Sequence, residues 1–111
     1  MAHGAVASRA FRNRELVDAA IANWRSAPLD PKVRAMVAFL EKLTFTPDDV
    51  TAADIQPLRN LGLSEDAIED AIHVCVLFNV YDRLADSFKF EIPDEAGFAM
   101  SANMLLKRGY V

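Results

Sequence analysis

This 111-residue chain predicts an all-α fold, a small domain of about five helices around a central buried helix at residues 64–88. Three observations carry that prediction. From Ile68 onward, Ala71, Ile72, Cys75, Val76, Phe78, Val80, Leu84, Ala85 and Phe88 recur mostly three and four residues apart, the spacing of a helix side. Residues 74–78 contain no polar member, so that part of the helix is expected to be covered on every side. A second stripe, Val33, Met36, Val37, Leu40 and Leu43, widened by Phe39, has a period near 3.6.

Taken in order, residues 1–24 read as helix from nearly the first position, with Ala2, Ala5, Val6, Ala7, Ala10 and Phe11 apolar and no turn chemistry ahead of them. Asn13 is placed to break or re-cap this helix before Leu16, Val17, Ala20, Ile21 and Trp24 continue a stripe. Residues 26–31 form a linker, in which Asp30 is the N-cap of the next helix. Pro31 takes the first helical position, where its missing amide costs nothing. Residues 46–49 are a turn, and Thr51 with Asp54 resembles a capping box. Ile55, Leu58 and Leu61 carry a short helix that Gly62 ends. Ser64 caps the central helix, with Glu65 and Asp66 where its dipole favours negative charge. After Pro93 a last helix runs from about Asp94 to Lys107, with Lys107 and Arg108 at its carbonyl end.

The length fits one domain over residues 1–111, large enough to bury a core without staples. Hydrophobic residues make up 52 % and charged residues 25 %, and the net charge is −4. That balance argues against nucleic acid and anionic membrane as partners. One cysteine excludes an internal disulfide and fits a reducing compartment, so a cytoplasmic protein is expected. No apolar run reaches the roughly 18–20 residues that cross a bilayer, and the start has no basic region followed by an apolar core.

Residues that can do chemistry are few. His3 lies on an Ala-rich helix with no partner nearby in sequence, which favours a surface imidazole over a proton-transfer group. His73 and Cys75, two apart on a helix, point about 200° from each other and cannot form a local pair or share a metal. Cys75 stands among Val74, Val76 and Leu77, the setting of inert buried packing. Asn79, Arg83 and Asp86 share one face beside Asp82. They are either a solvated, self-paired face or an anchor to a neighbouring helix or subunit. Glu41, Glu69 and Asp70 are ordinary helix-surface carboxylates. A phosphate-binding glycine loop, a nucleophile with a positioned base, metal-ligand spacing and a basic aromatic patch are all absent, so neither cofactor nor metal is expected.

Several segments together resemble one family. They are Arg34-Ala-Met-Val-Ala-Phe-Leu-Glu-Lys-Leu-Thr44, Val50-Thr-Ala-Ala-Asp-Ile55, Leu61-Gly-Leu-Ser64 and Leu77-Phe-Asn-Val-Tyr-Asp-Arg-Leu-Ala-Asp86. In that order they resemble the alkylhydroperoxidase D-like branch of the carboxymuconolactone decarboxylase superfamily, near its peroxidase-related proteins. The last segment matches the family's Phe-Asn, Asn-Arg and Ala-Asp pattern, with Asp82 where Asn is usual. The resemblance covers about residues 2–92.

It implies an alkylhydroperoxidase-like helical core, assembly into dimers or larger rings with the face of helix 64–88 as the buried seam, and thiol-dependent reduction of a small peroxide. The family's cysteines form Cys-x-x-Cys at a helix start, with a histidine three residues after the second. His3-Gly-Ala-Val-Ala-Ser-Arg9 resembles the family's segment just after that pair, which puts His3 at the proton-relay position and makes the chain open inside the motif. Cys75 has no second thiol to resolve an oxidised sulfur and lies mid-helix. The sequence thus predicts a peroxidase-related antioxidant-family protein without its redox pair, inactive unless an upstream segment supplies two cysteines. Two alternatives stand beside that reading: a non-catalytic oligomerisation or binding module, and a thiol-independent decarboxylase-type member using His3 and a carboxylate.

Overall fold

The computed structural model describes residues 2–109, among which there are six α-helices, one 3₁₀ turn and no strand. The all-α expectation holds, with six helices rather than about five, because the first predicted helix is two. Helix α1 (Ala2–Phe11) ends at Arg12, whose φ of 51° is left-handed. Asn13 then re-caps the chain: its side-chain oxygen accepts from the Leu16 amide at 2.9 Å, and α2 (Arg14–Asn23) begins.

The other boundaries obey local chemistry. Helix α3 (Pro31–Phe45) opens on Asp30, whose carboxylate accepts from the Lys32 amide at 2.8 Å, with Pro31 at the first helical position. The 3₁₀ turn Pro47–Asp49 leads to α4 (Ala52–Asn60). Gly62, at φ 75°, ends α4 with the Leu63 amide reaching back to the Leu58 carbonyl at 3.1 Å. Helix α5 (Glu65–Phe88) is capped by Ser64, whose hydroxyl accepts from the Ala67 amide at 3.1 Å, and closes on Lys89 in the left-handed region. Asp94 caps α6 (Glu95–Arg108) through the Gly97 amide at 2.8 Å.

Two compact units divide the chain. The first, residues 1–29 and 91–111, holds α1, α2 and α6, with Val17, Ala27 and Ala102 buried. In it the Arg14 guanidinium donates to Glu95 at 3.3 Å, an exposed contact. The second, residues 30–90, holds α3, the 3₁₀ turn, α4 and α5 around Phe39, Leu58 and Ile68. Met36, Leu40, Leu43, Val50, Ile55, Leu63 and Ile72 pack against those three.

Asp54 ties this second unit together. Its carboxylate accepts from the Thr51 amide at 2.7 Å and from Lys42 of α3 at 2.7 Å. It thereby closes the start of α4 and joins two helices. The Lys42 hydrogen bond, then the Thr51 amide, hold its carboxyl below the ordinary aspartate value. A carboxylate depressed in this way stabilises the fold above its unfolded value, and the contribution disappears as the pH falls through the folded value. Asp54→Asn is therefore expected to lower the melting temperature at pH 7. The deficit should shrink to nothing once the solution is acidic enough to protonate Asp54 in the wild type. Parallel thermal melts of the two proteins from pH 7 to pH 2 check this.

One expectation is corrected. Helix α5 is not buried throughout its length: among its described residues Ile68 alone is fully buried. Val74, Val76 and Leu77 are 53 %, 52 % and 68 % exposed, although residues 74–78 were expected to be covered on every side. The reason is one-sided cover. Helix α3 packs on the side of α5 that carries Ile68, Ile72 and Cys75, Val74 and Leu77 point away from it, and beyond Cys75 that one neighbour also ends. Helix α3 ends at Phe45, and its Thr44 lies beside Cys75, so α3 gives out there. From Cys75 to Phe88, roughly 20 Å of α5 runs on past that cover.

Candidate functional site

Where α3 ends beside α5, a groove of about 390 Å³ opens, lined by Leu43, Thr44, Pro47, Cys75, Val76, Asn79, Val80 and Arg83. Its walls are mainly apolar, and its polar groups sit around one sulfur. The Thr44 hydroxyl donates to the Leu40 carbonyl at 2.8 Å, and its oxygen lies 3.4 Å from the Cys75 sulfur. A threonine hydroxyl has one proton to give, so with that proton on Leu40 the thiol is the donor to Thr44. The Asn79 amide donates to the Cys75 carbonyl at 2.9 Å and reaches the sulfur at 3.5 Å. Cys75 is half-buried, a free thiol on a groove wall rather than the sealed packing residue that its apolar neighbours suggested.

The residues singled out in the sequence are only partly brought together. Asn79 and Arg83 both line the groove, and Asn79 is spent on Cys75 rather than on Arg83. Arg83 is exposed and has no hydrogen bond or ion pair among the described residues. Asp86 is exposed and outside the groove lining, so the self-paired face of Asn79, Arg83 and Asp86 does not form. His3 is exposed on α1, in the other unit. Thr44 and Pro47 were not identified as groove residues in the sequence. Thr44 comes one helical turn after Leu40, but only the docking of α5 gives it a sulfur to meet.

Elsewhere in this unit, Arg59 of α4 grips Glu65 with two hydrogen bonds of 2.6 and 2.8 Å across the Gly62 corner. Each partner stabilises the charged form of the other, raising the arginine value and lowering the glutamate value. Glu69 lies 3.9 Å from His73 one turn along α5, an exposed contact. Among the described residues no group of three or more His, Cys, Asp or Glu side chains is placed to hold a metal ion. No helix among them is long and apolar enough to cross a membrane.

The opposite side of α5 is of another kind. Ile68, Ile72, Cys75 and Asn79 face α3 or the groove. At 100° per residue, Leu77, Tyr81, Leu84 and Phe88 lie nearly opposite them. Those four are 68 %, 58 %, 46 % and 72 % exposed. The apolar side of the helix thus changes over along its length: inward against α3 at the start, outward beyond Cys75. Phe90 folds back over the end of this outward side, its ring 6.3 Å from those of Tyr81 and Phe88.

No protein-family model matches the chain, and no curated protein matches it.

Proposed function

We propose that this chain is a non-catalytic helical assembly module of the peroxidase-related kind, working as a homo-oligomer in which α5 is the contact helix. The outward apolar side of α5 carries this reading. A helix that has turned its leucines and aromatics away from its own core keeps several large side chains in water, and covering them is favourable by about 25 cal/mol per Å². The sequence resemblance adds support, because oligomers built on this helix are what it implies. Residues 1–111 hold one cysteine, so the two-thiol reduction of peroxides that the resembled family performs has no second thiol within them.

Thermal melts over a hundredfold range of protein concentration test the assembly. Linkage makes the melting temperature of a homo-oligomer rise with concentration, and this protein is expected to show that rise. A melting temperature independent of concentration would contradict the proposal.

A second reading is favoured by the groove: reduction of an organic peroxide by one thiol. The Cys75 sulfur attacks a peroxide oxygen, the O–O bond breaks, the alkoxide leaves as the protonated alcohol, and the sulfenic acid is returned to thiol by two equivalents of a small-molecule thiol from solution. The first displaces water to form a mixed disulfide, and the second releases Cys75 and the small-molecule disulfide. The two readings separate in one assay. Assembly without catalysis predicts loss of tert-butyl hydroperoxide in dithiothreitol at the uncatalysed rate, with Cys75→Ser identical to wild type. Turnover that disappears in Cys75→Ser establishes the one-thiol reaction.

A further inference from the structure

Among the side chains lining the groove between α3 and α5, Thr44, Cys75, Asn79 and Arg83 carry hydrogen-bond donors. The first three are engaged within the chain. The Thr44 hydroxyl donates to the Leu40 carbonyl at 2.8 Å, the Cys75 thiol has the Thr44 oxygen at 3.4 Å, and the Asn79 amide donates to the Cys75 carbonyl at 2.9 Å. Arg83 is the exception. Asn79 stands one turn before it, Asp86 one turn after it and Asp82 beside it, yet it makes no hydrogen bond or ion pair with any described residue. A guanidinium that passes over three nearby acceptors keeps its donors for the edge of an apolar groove.

We infer that this groove binds a small monocarboxylic acid with an apolar chain, the carboxylate on the Arg83 guanidinium and the chain lying against Val80 and Val76 toward the Cys75 sulfur. This goes beyond assembly through α5 and requires no reaction at the sulfur. Size, lining and charge all support it. The volume of about 390 Å³ lies within the roughly 300–1,000 Å³ of small-molecule sites, which are mostly apolar with a few placed polar groups. Arg83 follows Cys75 by about 12 Å along the helix axis, a span that an extended chain covers.

The head group follows from the cation. A planar guanidinium donates two parallel hydrogen bonds to a carboxylate and gives up its water more readily than an ammonium does. The surroundings then limit the ligand's charge. Asp48 and Asp49 come directly after Pro47 in the chain, Asp82 and Asp86 flank Arg83, and no second cation lines the groove. A second negative charge on the ligand would meet these acids without a partner of its own.

Cys75 is the single cysteine of residues 1–111, so its alkylation reports whether the groove is filled. The rate of its reaction with iodoacetamide is followed on the reduced protein as octanoate is added, and again with octanamide, which has the same chain and no charge. Octanoate is expected to slow the reaction until it saturates, and octanamide to slow it only weakly. Arg83→Gln should weaken the octanoate effect about fivefold or more and leave the octanamide effect unchanged. Arg83→Lys, which keeps the charge and loses the two-bond fork, should fall between. Arg83 is exposed and unpaired among the described residues, so both variants are expected to keep the fold. Comparing each protein with and without ligand cancels any effect of the substitution on the thiol itself. An alkylation rate that octanoate does not change overturns the inference. Equal protection of wild type and Arg83→Gln overturns it as well, because the binding would then be apolar alone.

Discussion

Leu58→Ala is expected to remove about 2–5 kcal/mol of stability, a large share of the roughly 5–15 kcal/mol that holds an ordinary domain together. Leu58 is 1 % exposed and fills the space between Phe39 of α3 and Ile68 of α5. Truncating it deletes three carbon atoms at the place where three helices meet. The neighbours are held by their own caps and by the Lys42–Asp54 and Arg59–Glu65 pairs, so they collapse only partly into the space. Leu58→Met, which nearly conserves volume, is expected to cost under about 1.5 kcal/mol. Urea unfolding of the three proteins, read by circular dichroism, separates the cavity effect from a general intolerance at this position. A Leu58→Ala midpoint equal to wild type would mean that α3, α4 and α5 do not share this core.

The double variant Leu77→Glu/Leu84→Glu is expected to weaken self-association at least a hundredfold, about 3 kcal/mol, without loss of helix. Both positions are exposed in the chain, at 68 % and 46 %, so the glutamates remain solvated when the chain is alone. In an assembly sealed by α5 the same carboxylates lose water with no cation placed to receive them, and the apolar contact area is lost as well. Sedimentation equilibrium supplies the association constant, and far-ultraviolet circular dichroism verifies that α5 is intact. A variant that associates as wild type does would remove α5 from the contact. The Arg83→Ala variant is the useful contrast: Arg83 faces the groove rather than the outward stripe, so its loss should leave association within a fewfold of wild type.

Much of the backbone was legible because it is written in local chemistry. Asp30 with Pro31, Ser64 ahead of two acids, Gly62, and Asp94 each satisfy or release amides and carbonyls within four residues, and each stands at the boundary its residue type predicts. Asn13 was legible as an interruption for the same reason, and it is what makes six helices out of about five. The stripe in α3 and the short apolar set of α4 also led correctly to Phe39, Leu58 and their neighbours.

Which helix covers which could not be read. Periodicity locates apolar residues around an axis but carries no record of where a neighbouring helix stops. Residues 74–78 therefore looked enclosed, whereas α3 covers one side of α5 and ends at Phe45, which leaves Val74, Val76 and Leu77 exposed. The groove was hidden for the same reason. Thr44 and Cys75 are 31 residues apart, and their 3.4 Å contact exists only once α3 docks on α5. Asn79 and Arg83, singled out for their spacing, both line the groove. Their use was different, because a nearer acceptor, the Cys75 carbonyl one turn back, takes the Asn79 amide.

Light scattering coupled to gel filtration, on the wild-type chain near neutral pH, puts the assembly itself to the test. A mass of at least twice the 12.3 kDa of one chain is expected. A single species at 12.3 kDa, unchanged as the loaded concentration rises into the hundreds of micromolar, would contradict assembly through α5.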